Sequence, residues 1–241
     1  MKNDIEYDVQ LNSQERLTLQ IPETVFQPTG TTTTLIEAVK NSISSPGSLL
    51  DIGCGSGVVG LTLSKEGMVA GPLHASDLSE DAIKCVQDNA KNLGLDLDAR
   101  CGSLFDPWKD CLFDYIVDDV AGIAKKIAEV SPWYTFAPCD AGEDGAELIV
   151  QIIEQAKSHL KPGGQFFFPV ITLSNVDRIL DVARSQFENL DLCLHKQWPL
   201  PPEMSKHTDL LHEMKSKGFI QFEEKFGMIL YSTDIYVAKI D

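Results

Sequence analysis

The stretch LLDIGCGSGVVG, Leu49 to Gly60, sets four glycines between an apolar run that contains an aspartate and a second apolar run. Residues without a Cβ accept positive φ and let a ligand approach the main chain, and the first amides of a following helix attract anionic or polar groups. Gly55, Gly57 and Gly60 satisfy G-x-G-x-x-G at a strand-to-helix junction, and Asp77 follows Gly57 by about 20 residues, the interval of an acid that binds a ribose. The bland reading of the stretch is a tight turn with no ligand, and the binding reading needs Asp77 to stand at the end of the next strand. Asp51 then divides the ligands that use such a turn. A carboxylate two places before Gly53 repels a pyrophosphate and attracts a cationic group.

The rest of the chain fits the sheet that such a turn requires. Apolar runs in SLLDIG, PLHASD, DARCG, FDYIVDD and GQFFFPV read as buried parallel strands. Between most of them lie helical patterns, VVGLTLSK, SEDAIKCVQDNAKNLG, GAELIVQIIEQAKSHLK and NVDRILDVARSQF. Strands separated by crossover helices predict an α/β, doubly wound sheet with its ligand site at the strand carboxyl ends. LKPGGQFFF reads as a Pro-Gly turn into the fifth strand. LDLCLHKQWPL and ILYSTDIYVAKI supply two antiparallel strands, making a mostly parallel sheet of seven, with PPEMSKHTDLLHEMKSKGF inserted between them. Ahead of the sheet, Ile5, Tyr7, Val9 and Leu11, then Leu17, Leu19 and Ile21, alternate at period two around a polar turn and predict a β-hairpin. TTTTLIEAVKNSI is a helix entered through capping threonines. The predicted organisation is a hairpin over 1–24 and one domain over 25–241, with 198–227 as a substrate-side insertion.

Charge narrows the partners. Thirty-six acidic against 20 basic residues give a net charge of −16, which disfavours nucleic acid as a partner, because phosphate backbones are repelled. The six cysteines form no C-x-x-C pair and read as reduced, buried thiols. MKNDIEYDVQ has no apolar signal core and no run reaches the length of a membrane span, so a cytoplasmic protein without membrane association is expected. His207 and His212 stand i to i+5 and no cysteine completes a set, so no metal site is expected.

The pattern Asp51-x-Gly53-x-Gly55-x-Gly57 resembles the first motif of the class I S-adenosylmethionine-dependent methyltransferases. Within that class the chain resembles the small-domain enzymes typified by the release-factor glutamine methyltransferases. The match rests on a hairpin leading to VFQPTGTTTTLIEAV, then GSLFDPW, FDYIVDD and DAGEDGAELIVQIIEQAKSHLKPGG, and covers about residues 5 to 170. The resemblance implies a Rossmann-like methyltransferase sheet and S-adenosyl-L-methionine as cofactor. It assigns Asp51, Gly53, Gly55 and Gly57 to the cofactor loop, Asp77 to the ribose, Leu78 beside it to the cofactor, and Ser103 and Leu104 to the adenine. It also makes the segment containing Gln27, Thr29 and Thr32 a flap over the methionine end, against the plain alternative of a threonine helix cap.

The resemblance breaks at one place. Where those enzymes carry Asn-Pro-Pro-Tyr after the fourth strand, this chain reads Asp119, Val120, Ala121 and Gly122. Asp119 is the candidate catalytic acid/base or orienting group, Asp118 is expected to face solvent or serve as a cap, and Trp133 or Tyr134 could replace the lost aromatic wall. Trp198, Glu203, Met204 and His207 are candidates for substrate contact. The function this implies is methyl transfer to a protein side chain or small molecule. A catalytically silent binder of S-adenosylmethionine and an RNA methyltransferase stay open, and a nicotinamide oxidoreductase stands last because of Asp51.

Overall fold

A computed structural model describes residues 4–120, 122–134, 139 and 141–241. The hairpin strands β1 (Ile5–Gln10) and β2 (Arg16–Ile21) pair antiparallel as a separate two-stranded sheet. Then follow α1 (Gly30–Ser42), β3 (Leu49–Ile52), α2 (Val58–Lys65), β4 (Leu73–Asp77), α3 (Glu80–Leu93), β5 (Leu97–Cys101), β6 (Phe113–Asp118), α4 (Lys125–Ala128), α5 (Glu147–Ala156), β7 (Leu160–Ile171) and α6 (Val176–Gln186). The chain closes with β8 (Asn189–Pro199), α7 (Pro202–Ser205), α8 (Thr208–Ser216), β9 (Glu223–Lys225) and β10 (Met228–Lys239). The main sheet has the order β5-β4-β3-β6-β7-β10-β8, with β9 pairing β10. Its first five strands are parallel, and β10 runs antiparallel between β7 and β8. The predicted sheet of seven is present, with β9 as a short eighth strand.

Period-two alternation explains why the central strands read as uninterrupted apolar runs. Leu49, Tyr115, Val117 and Phe167 join one core with α1, α2, α3 and the hairpin. Leu50, Ile52, Ile116, Phe166 and Phe168 join a second core under α5 and α6. Both faces of the strands are covered, so alternation of apolar with polar residues has no place there. Leu19 and Ile21 of β2 are fully buried in the first core, and the buried amide of Asn89 on α3 bonds both the N–H and the C=O of Gln20. The hairpin is thereby fixed to α3, and its exit segment is delivered to the carboxyl end of the sheet.

Three local readings need correction. The Pro-Gly turn expected before the fifth strand lies inside β7, where Gly163 takes φ +76° and the pairing with β6 shifts register between Phe113 and Tyr115. β5 is an edge strand and only partly buried, because it has a neighbour on one side alone. Of the six cysteines, all free, Cys54 and Cys85 are buried, Cys111, Cys139 and Cys193 are half-buried, and Cys101 is exposed at the end of that same edge strand. Among the described residues no helix is long and apolar enough to cross a membrane.

The segment 198–227 is packed into the fold. Trp198 and Pro199 belong to β8, where Trp198 pairs Tyr231 of β10. α7 and α8 pack Met204, Leu211 and Met214 into a third core with Ile123, Ile127, Ile171 and Tyr231.

Candidate active site

The site is assembled where β3, β4 and β6 end. Gly53, Gly55 and Gly57 take φ +64°, +52° and +80°, conformations that side chains rarely adopt, and the chain crosses from β3 into α2 through them. A Cβ on Gly53 would stand 2.0 Å from Val120 Cγ2 and one on Gly57 2.4 Å from Val86 Cγ2, whereas one on Gly55 would meet nothing within 4 Å. Two of the glycines therefore serve packing, and the third leaves open space beside the main chain. That space belongs to a cavity of about 580 Å³ lined by Gly53, Gly55, Asp77, Leu78, Ser103, Leu104, Thr32 and Asp119, with Val25, Phe26, Pro28 and Tyr134 closing the hairpin side.

Asp77 stands at the end of β4, as the binding reading requires. Its Oδ2 accepts the Gly55 N–H at 2.9 Å and its Oδ1 the Ser79 N–H at 2.8 Å. Each carboxylate oxygen retains acceptor capacity toward a ligand hydroxyl. Ser79, not Asp77, caps α3, its hydroxyl accepting from the Ala82 N–H. Leu78 is 75% exposed at the cavity edge, an arrangement with no packing rationale. Leu104 takes φ +46°, a strained backbone for a residue with a branched side chain, and such strain gathers at ligand sites.

Asp51 stands elsewhere than the sequence suggests. It is fully buried behind the glycine turn, where Oδ2 accepts the Gly60 N–H at 2.9 Å, and it is absent from the cavity wall. Burial pushes its carboxyl up to about 8, opposed by the Gly60 N–H and reinforced by the charges of Asp119, Asp118 and Asp77. Its part in the site is to hold the turn and add to the negative field beneath it. Asp118 contradicts the expectation of a solvent-facing side chain. It is 0% exposed, because in β6 it shares a face with Ile116 against the second core. Its Oδ1 does cap the Val120 N–H, at 2.7 Å, and burial raises its pKa to about 7.

Asp119 leaves β6 pointing into the cavity wall, with Oδ2 accepting the Thr32 hydroxyl at 2.7 Å. Withdrawal from water raises its pKa to about 7, against the lowering effect of the Thr32 bond. Thr32 also accepts the Thr29 N–H at 3.1 Å, while the Thr29 hydroxyl accepts from the Thr31 N–H and so completes a capping box. Thr29 is thus the helix cap, and Thr32 links that cap to Asp119. Gln27 turns its amide back on the Pro22 and Val25 carbonyls. Of the altered signature, Ala121 lies outside the described residues; Val120 packs on Gly53, and a Cβ on Gly122 would stand 2.1 Å from Ala141 Cβ, so no ring fits there.

Aromatic residues nevertheless surround Asp119. A second, smaller cleft of about 200 Å³ is lined by Phe26, Trp133, Tyr134, Tyr231, Ile171 and Asp119 among others, and shares Phe26, Pro28, Asp119 and Tyr134 with the main cavity. The Phe26 and Tyr134 rings lie 5.5 Å apart and the Trp133 and Tyr231 rings 5.6 Å. Asp119 therefore stands on the wall of two adjoining spaces. Trp133 and Tyr134 occupy the place expected of an aromatic wall; Trp198 instead packs on Gly30, Met204 is buried in the third core, and Glu203 and His207 line neither space. Phe26 and Tyr231 escaped the sequence reading. Phe26 had a weak signal in its place beside Gln27 and Pro28, and Tyr231 had none, since only its register in β10 brings it there.

The residues present fit an S-adenosylmethionine-type cofactor. Gly55 leaves a cradle that a side chain would fill, Asp77 retains acceptors for hydroxyls, and among the described residues four carboxylates and no cation stand about the turn, which suits a positively charged group. Residues 27–119 match the family model of the methyltransferase small domain. A release factor glutamine methyltransferase of Geobacter sulfurreducens is 30% identical over 149 residues, 60% of this chain and 52% of that protein. A human release factor glutamine methyltransferase is 29% identical over 177 residues, 64% of this chain and 52% of its own length. The chain thus spans about half the length of these relatives. Among solved structures, a 16S rRNA methyltransferase of T. thermophilus in complex with AdoMet and guanosine superposes over 100% of this chain and 52% of its own, with TM-score 0.64 and 14% identity. A ribosomal protein L11 methylase of Lactobacillus delbrueckii covers 88% of this chain and 79% of its own, with TM-score 0.53 and 18% identity. Fold, glycine turn and relatives agree: the chain has the fold of the class I S-adenosylmethionine-dependent methyltransferases, its residues 27–119 match the methyltransferase small domain, and its sequence resembles the release factor glutamine methyltransferases.

Proposed function

We propose that the chain transfers a methyl group from S-adenosylmethionine to a protein side chain or a small molecule. The observation that carries this reading is the pair of adjoining spaces, one floored by the glycine turn and the other lined by aromatic residues, with Asp119 on the wall of both. When bound, the cofactor supplies a methyl group activated on a sulfonium. The chain's own residues then have three tasks. The Gly53–Gly57 turn and Asp77 hold the nucleoside, with Ser103 and Leu104 beside its base. Tyr134, Phe26 and the α1 entry shield the reacting region from water. Asp119, oriented by Thr32, holds the acceptor and takes its proton, and a carboxyl titrating near 7 suits a proton acceptor at neutral pH. Alignment of two bound partners supplies the remainder of the rate.

The named relatives support a protein acceptor, and the net charge of −16 weighs against a phosphate backbone. One observation favours a second reading, a binder that retains the cofactor and not the chemistry: Gly122 stands against Ala141, at the position where the resemblance implies the tyrosine of Asn-Pro-Pro-Tyr. The test is a titration with S-adenosylmethionine, followed by transfer of its radiolabelled methyl into a dialysed extract and into the dialysate. Label in protein or small molecules is expected. Label confined to nucleic acid overturns the acceptor class, binding with no label in any fraction favours the silent binder, and no binding removes both.

A further inference from the structure

The four aromatic residues of the smaller cleft share it with a carboxylate, Asp119, that has no cation beside it among the described residues. Neither space has a Lys, Arg or His in its lining among the described residues. The sequence extends this: residues 22–36, 51–60, 118–123 and 131–147, the stretches of sequence from which many of the lining residues come, contain no Lys, Arg or His at all. Elsewhere the protein pairs its carboxylates freely, as in Arg178 with Asp144 and Lys161 with Asp114. Among the described residues Asp119 accepts one hydrogen bond, from the neutral Thr32 hydroxyl through Oδ2, and none through Oδ1.

This arrangement discriminates between acceptors. An amide brings both an N–H donor and a C=O acceptor, and an Asn side chain answers both. An ionised Asp is acceptor-only, leaving the amide C=O without a donor from that side chain. An ammonium group brings donors alone, neutralises the lone carboxylate, and is attracted by the faces of Trp, Tyr and Phe rings. We propose that the methyl acceptor is an aliphatic amine, which enters the smaller cleft in its ammonium form and is recognised by Asp119 together with Trp133, Tyr134, Tyr231 and Phe26. This rests on the methyltransferase reading above. In the transfer, Asp119 takes one proton from the ammonium and frees its lone pair. The N–C bond forms as the methyl C–S bond breaks, the sulfur keeps that electron pair as a neutral thioether, and the positive charge passes to the methylated nitrogen. Asp119 then gives its proton to water. The aromatic residues favour the charge that returns to nitrogen in this step.

The experiment uses the full chain and separates the two readings. Titration with S-adenosylhomocysteine comes first; no binding removes the methyltransferase reading and this inference with it. With that ligand saturating, n-butylammonium chloride and propionamide are titrated at pH 7.5, observed by Trp fluorescence and by calorimetry. Saturable binding of the ammonium is expected, at least tenfold tighter than that of the amide. It should weaken roughly tenfold in Asp119→Asn and again in Trp133→Leu, the second variant leaving the buried carboxylates intact. Equal binding of the amide, or ammonium binding unchanged in both variants, overturns the inference while the cofactor reading stands. Extract whose amines have been acetylated should lose its label acceptors, and label in the untreated protein fraction or the small-molecule fraction distinguishes lysine side chains from free amines. Undiminished label after acetylation also overturns it.

Discussion

At the scale of the residue, a carboxylate's surroundings decide its use. Asp77, Asp51, Asp118 and Asp119 lie at or near the carboxyl ends of three adjacent strands, yet Asp77 and Asp119 alone line the cavity. Asp77 has both oxygens engaged by backbone N–H groups and still open to a ligand, so Asp77→Ala should weaken S-adenosylmethionine binding by the 1.5 to 3 kcal/mol or so typical of hydrogen bonds to a charged group. Calorimetry would read this, and unchanged affinity would mean that Asp77 only steadies the glycine turn. Gly53 is limited twice over, by φ +64° and by Val120, whose Cγ2 would lie 2.0 Å from any Cβ at that position. Gly53→Ala should therefore cost about 1–2 kcal/mol for the left-handed conformation, and more for the displaced valine. A denaturant midpoint equal to that of the parent protein would refute this.

At the scale of the element, α1 connects the fold to the chemistry. Its capping box satisfies the amides that open the helix, and the threonine that completes the box is the one that orients Asp119. Thr29→Ala should lower stability by about 1 kcal/mol, the usual value of such a cap. It should also lower the methyl-transfer rate more than cofactor affinity, because Thr32 loses its place and Asp77 does not. Equal losses in both would argue that the whole flap moves. The helices, the hairpin and the glycine turn were legible in the sequence because each depends on neighbours within a few positions: period two in Ile5–Leu11, capping threonines at 29–34, glycines where φ is positive. The Pro-Gly turn misled for the same reason. Gly163 does take the turn's conformation, but pairing with β6 absorbs it into β7 as an irregularity.

At the scale of the whole molecule, two buried acids and the half-buried Asp119 make stability and ligand binding respond to pH in opposite senses. Asp51, Asp118 and Asp119 titrate near 8, 7 and 7 in the folded chain against about 4 when unfolded. A raised folded pKa means that the native state binds more protons, so stability from these groups is full below about pH 4 and declines as pH rises to about 8. The ligand-free protein should melt at a lower temperature at pH 8.5 than at pH 5.5, and a higher one would contradict the burial of these charges. A cationic cofactor favours the ionised acids, so its affinity should rise between pH 6 and 8, with protons released on binding. What the sequence by itself determined is the class of sheet, the glycine turn and Asp77 as a candidate, since these follow from periodicity, glycine conformation and spacing along the chain, while Asp119 was a candidate through the resemblance to the release-factor glutamine methyltransferases. The tertiary structure alone decided that Asp51 stands behind the turn, that Asp118 is buried, and that Phe26, Trp133, Tyr134 and Tyr231 meet around Asp119. Those facts depend on which strand lies beside which and on what covers each face, and such pairings join residues as distant along the chain as Phe26 and Tyr231, which no local pattern connects.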